Sequence, residues 1–138
     1  MQIVMFSFLL LLVMSCAYAL IAGGRDARIA CAMLVSASLL TPMVTLFSHA
    51  RWPLFLVDSS LLVGLTMLAM RSRYFWPMWV AGMHGVTVAG HIASTLTPNL
   101  PWNVYHAIIA FWSIPVQLTM ALGIFLDSRG TNHADAHN

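Results

Sequence analysis

The sequence predicts an all-α integral membrane protein: a compact bundle of five transmembrane helices, N-terminus outside and C-terminus cytoplasmic. Three observations carry that reading. The 138 residues are 60% hydrophobic. Their charged side chains are six arginines and four aspartates, with no lysine or glutamate, where about a quarter of a soluble domain is charged. Apolar runs also recur at the length a bilayer demands. A globular surface needs charge to stay in water, so most of this surface is expected to face lipid.

A hydrocarbon core about 30 Å thick takes about 20 residues at about 1.5 Å each. Five runs meet that length, at 2–22, 28–47, 54–70, 74–96 and 102–126. Their connectors are short, which forces sequential antiparallel neighbours and a single domain over 1–127. The polar tail, 128–138, is expected to be a disordered cytoplasmic end. It holds His133 and His137 at a spacing that would share a metal on a helix, but Gly130, Asn132 and Asn138 favour a solvated segment.

In the first run Ala17 and Ala19 form an A-x-A-like site, and Val13-Met14-Ser15-Cys16 loosely resembles a lipoprotein box. No positive residue precedes the run, however, and it is longer than the roughly 7–15 residues of a signal-peptide core. It is therefore read as a retained spanning helix. Cys16 and Cys31 both lie within apolar runs, without the spacing of a disulfide framework or a zinc site, and are expected to be small core or lipid-facing residues.

Orientation follows from arginine counting. Arg25, Arg28, Arg71, Arg73 and Arg129 share one side and Arg51 takes the other, so the former side is cytoplasmic. The expected location is a cell membrane, specifically a bacterial inner membrane. Trp52, Trp102 and Tyr105 then mark the outer interface, and Tyr74, Trp76 and Trp79 the inner one. Pro42 in the second span and Pro115 in the fifth each remove a backbone hydrogen bond, so kinks are expected at both.

The residues a lipid-facing helix would not carry form a seam. On the fourth span His84 and His91 share a face with Thr87, Ser94 and Thr95 nearby, while Gly82, Gly85, Ala89 and Ala93 occupy the opposite face. Small residues at that spacing admit a neighbouring backbone. With a polar face and a small-residue face, this span is predicted to be the centre of the bundle. On the fifth span His106, Ser113 and Gln117 fall on one face. His91 and His106 come out level near the outer end, and His84 near mid-membrane opposite Ser113. Asp58, on the third span, has the same outer depth as His91. Ser38, Thr41, Thr45 and Ser48 add hydroxyls from the second span, and His49 or Arg51 could join from the loop. A carboxylate in hydrocarbon needs a partner, which here means Arg51 or a histidine.

Three functions fit. The first is association, as an accessory, assembly or anchoring subunit of a membrane complex or as a homo-oligomer, with the polar layer serving to join helices. The second is a bound first-row metal or haem b, held by His91, His106 and Asp58 with His49. The third is a proton relay or channel through His84, Thr87, Ser113 and Gln117. The partners expected are the lipid bilayer and other membrane proteins or a second copy. The six arginines are scattered, which excludes a nucleic-acid footprint. No nucleophile elbow or paired carboxylates point to an enzyme.

Overall fold

The computed structural model describes residues 2–47, 52–97, 99 and 101–135, apart from the side chains of 2–5, 102, 106 and 128–135. It is all-helical, with no strand among the described residues. Five helices follow in order: α1 (Gln2–Ile21), α2 (Arg25–Phe47), α3 (Trp52–Arg71), α4 (Trp76–Leu96) and α5 (Trp102–Asp135).

Local chemistry explains their limits. Gly23 and Gly24 separate α1 from α2, and Asp26 in the first turn of α2 complements the helix dipole. Pro53 and Pro77 each stand second in their helices, where the missing N–H costs nothing. Pro101 immediately precedes α5 and accepts backbone hydrogen bonds from Val104 and Tyr105. Both internal prolines, Pro42 and Pro115, lie within uninterrupted helical assignments. α5 also runs past position 126 into the segment expected to be a tail, and the last three residues lie outside the described set.

α2, α3 and the stretch Asn103–Asp127 of α5 are long and apolar enough to cross a membrane by length and composition. Five such helices were expected. The described apolar part of α1, Phe6–Ile21, is shorter, and α4 falls outside the set. The shortfall in α4 traces to its polar side chains, because His84, Thr87, His91 and Ser94 turn into the protein.

Each helix packs on its sequence neighbours, and α1 packs on α5 to close a ring. α4 is thus one member of the ring, lying against α3 and α5, and not the centre the sequence predicted. Its His84 face is buried, whereas Gly82, Ala89 and Ala93 are exposed on the outside. A helix in a ring has one inward face, and the polar face has taken it.

The two ends of the bundle differ inside. The half bearing Arg25, Arg28 and Arg71 is filled by Leu12, Cys16, Ala19, Ala27, Ala30, Cys31, Leu65, Trp76, Val80, Val116, Met120 and Ile124. Close packing there is specific. A Cβ on Gly123 would overlap Cβ and Cγ of Trp76, so α5 meets α4 at a point where only hydrogen fits. Trp76 is buried and is therefore a core residue, not the interfacial anchor expected. On the surface of this end, Ser72 Oγ donates to Asp26 Oδ2 at 2.7 Å, tying the end of α3 to the start of α2.

Candidate functional site

The opposite half of the bundle holds the polar groups. Asp58 is the seventh residue of α3, His91 lies five residues before the end of α4, and Tyr105 is the fourth residue of α5. All three are within about two helical turns of the same end of the ring.

They form a directed chain. A carboxylate only accepts, so His91 Nε2–H donates to Asp58 Oδ2, at 2.6 Å. His91 Nδ1 is then the acceptor nitrogen, and Tyr105 Oη donates to it at 2.6 Å. The Tyr105 ring stands nearly perpendicular to the imidazole at 76°, and Phe55 covers the imidazole from α3 in another edge contact. His84 Nε2 donates to the backbone carbonyl of Asp58 at 3.0 Å and lies 3.8 Å from its Oδ1. Ser94 Oγ donates to the His91 carbonyl at 2.7 Å. Three helices are joined through one histidine, His91, which bonds Asp58 of α3 and Tyr105 of α5.

His91 and Tyr105 are 2% and 1% exposed, while the Asp58 side chain is 20% exposed. The connectivity of carboxylate, imidazole and hydroxyl matches that by which a base is oriented and a nucleophile activated. Here the hydroxyl is the sealed end and the carboxylate the accessible one. The arrangement fixes an imidazole tautomer and clamps α3, α4 and α5, and it presents no nucleophile to a substrate.

Tyr105 was expected at the interface and is instead central to the network. A signal for it existed: Tyr105 immediately precedes His106, which the depth count had already placed level with His91. Of His106 itself, the backbone lies in α5 and the side chain is outside the described residues, as are His49 and Arg51. Asp58 has found a histidine, one of the two partners expected.

The second span does not join the layer through its threonines. Thr41 Oγ1 donates to the Ala37 carbonyl at 2.9 Å, and Thr45 Oγ1 to the carbonyls of Thr41 and Pro42 at 3.1 and 2.9 Å. Hydroxyls in an apolar helix satisfy themselves on their own backbone. Ser113 does the same on Ala110, at 2.6 Å, so His84 turns to α3 and not to Ser113. Thr87 Oγ1 and both amide atoms of Gln117 are buried without a partner among the described protein groups. Beyond Gln117, toward the arginine-bearing end, the interior is the apolar core, with Ser15 on α1 as a buried polar side chain, and the seam of His84, Thr87 and Gln117 ends partway through the bundle.

Both ring nitrogens of His91 are engaged, so metal or haem ligation by His91 would require Asp58 or Tyr105 to give up its bond. Among the described residues no group of three or more His, Cys, Asp or Glu is arranged to hold a metal ion. Comparison with protein-family models, with curated proteins and with solved structures finds no match to this chain.

Proposed function

We propose that this chain is a small multi-pass membrane protein that acts by association, as a subunit of a larger membrane assembly or as a homo-oligomer. The observation that carries the reading is the outer face of α4. Gly82, Ala89 and Ala93 are exposed, Gly85 is half-buried, and a Cβ on Gly82 would meet nothing within 4 Å. Gly85, Ala89 and Ala93 stand four residues apart, so they follow one line of small residues along the helix. Hydrophobicity does not drive helices together in lipid. Close backbone approach across small residues does. The network of Asp58, His91 and Tyr105 supports this role by holding α4 rigid from behind while its outer face is engaged.

The proposed setting is a cell membrane, with a bacterial inner membrane the expected one and the arginine-bearing end facing the cytoplasm. Exposed Leu9, Leu10, Val13, Leu39, Leu40 and Leu118 suit contact with acyl chains.

The test is the mass of the purified full chain in mild detergent, by light scattering, for wild type and for the double substitution Gly85→Leu with Ala89→Leu. Wild type should run as a defined oligomer or with a membrane protein at fixed stoichiometry. The double variant should run as a monomer with unchanged helical content. A strictly monomeric wild type with no companion would overturn the proposal.

A further inference from the structure

The arginine-bearing end carries a groove that belongs neither to the polar network nor to the outer face of α4. It lies where α1 turns into α2, has a volume of about 460 Å³ and is lined by Gly23, Gly24, Arg25, Arg28, Ile29 and Ala32. Its mouth is open, since a Cβ on Gly24 would meet nothing within 4 Å.

Charge is the first feature that sets what the groove can hold. Arg25 and Arg28 are one turn apart on α2 and both exposed, and both ionisable side chains in the lining are these arginines. The neighbouring acid, Asp26, is not part of the lining, and its Oδ2 accepts from Ser72 Oγ just after α3. Arg28 Nη2 donates to the Leu20 carbonyl at 3.4 Å, which carries its guanidinium back over the turn. Its remaining N–H groups are left for a ligand. A guanidinium offers a fixed fork of donors, weakly hydrated, that matches the oxygens of a phosphate.

Shape is the second feature. Positions 25, 28, 32, 36, 39 and 43 follow one face of α2. Below the arginines that face carries Ala32, Ser36, Leu39 and Met43, all exposed. Ser36 Oγ donates to the Met33 carbonyl of its own helix at 2.9 Å, so its polarity is spent locally. An apolar strip therefore runs about 16 Å from Arg28 to Leu39 by helical rise. Two cations above an apolar strip fit an anionic amphiphile, whereas a free phosphate would use only the upper part.

We propose that this groove binds one anionic phospholipid, with the headgroup phosphate between Arg25 and Arg28 and an acyl chain along Ala32, Ser36 and Leu39. The proposal rests on the membrane setting given above and is independent of what engages α4. A zwitterionic lipid presents the same phosphate but brings its own cation toward the two guanidiniums, so a net negative headgroup is preferred.

The test uses the full chain in phosphatidylcholine vesicles with or without phosphatidylglycerol. The vesicles are floated after an alkaline wash and then extracted in mild detergent for native mass spectrometry. Wild type should float in both and retain one phosphatidylglycerol per chain in preference to phosphatidylcholine. Phosphatidylglycerol bearing a diazirine in its acyl chain should label α2 between Ile29 and Leu40. Arg25→Gln with Arg28→Gln should weaken retention at least about tenfold. Arg71→Gln with Arg73→Gln removes the same charge from the same end but outside the groove, and should retain the lipid as wild type does. Ala32→Phe keeps the charge and fills the strip below the arginines, so it should also weaken retention. Circular dichroism should show unchanged helical content in all three variants.

Equal loss in the two arginine variants would mark a diffuse positive surface and overturn the site. So would equal retention of phosphatidylcholine, or labelling confined to other helices. Displacement of the lipid by an equal concentration of glycerol phosphate, which has the headgroup without chains, would refute a lipid occupant. A chain that failed to float would refute the membrane setting together with this proposal, and one that floated without preferring phosphatidylglycerol would refute the groove alone.

Discussion

His91→Leu is the substitution that most directly probes the clamp. Leucine is close in volume to histidine and a better helix former, so α4 itself should not weaken. The loss lies in what His91 holds. Its Nε2 is 2.6 Å from Asp58 Oδ2 and its Nδ1 2.6 Å from Tyr105 Oη, so one change removes a hydrogen bond from a carboxylate and another from a hydroxyl. Leaving a buried carboxylate without its partner costs about 3–5 kcal/mol. Because the Asp58 side chain is 20% exposed, its carboxylate recovers some solvation, and the lower end, about 3 kcal/mol, is expected. Tyr105→Phe removes one neutral hydrogen bond and should cost about 1 kcal/mol. Asp58→Leu combined with His91→Leu leaves no stranded charge, so it should cost less than His91→Leu alone. The assay is reversible unfolding in mixed micelles, followed by tryptophan fluorescence and far-UV circular dichroism. If His91→Leu cost no more than Tyr105→Phe, or if the double variant cost the sum of its parts, the clamp would not be a coupled unit.

Three other outcomes follow from the same geometry. Asp58→Leu should be tolerated better than Asp58→Lys in the same unfolding assay, since lysine sets an unpaired cation beside His84 and His91; equal losses would argue against a structural carboxylate. Gly123→Ala should destabilise by about 1–3 kcal/mol, because its Cβ overlaps the buried Trp76, and a variant as stable as wild type would show that this end of the bundle is loosely packed. Gln117→Leu should be neutral or stabilising by up to about 1 kcal/mol, since both amide atoms lack a protein partner. A clear loss there would mean that the amide is held by something other than the described protein groups.

The chemistry of the site was partly legible. Asp58 stood out as the acid within a span, and counting residues from the helix ends placed it level with His91. Depth brought Asp58 level with both His91 and His106 and left Arg51 open as a partner; the structure pairs it with His91. Depth does not say which way a side chain turns, and here the count misled. Ser113 is half-buried but donates to its own helix, and His84, expected to face it, reaches α3 instead. Tyr105 and Trp76 were read as interfacial because aromatic residues near span ends usually are. Both are buried, Tyr105 because its hydroxyl has an acceptor inside the ring and Trp76 because Gly123 leaves it room.

By itself, the sequence determined the helices and the sharing out of polarity among them. Apolar runs of spanning length and glycine or proline breaks are local properties, and the near absence of charge belongs to the chain as a whole. Only the tertiary structure decided how the ring closes, with α1 against α5 and α4 as one wall of it. That closure gave the histidine face of α4 the interior and left its glycine and alanine face outside. A helical wheel defines two faces but not which of them has a neighbour, and that choice belongs to the packing of five helices together.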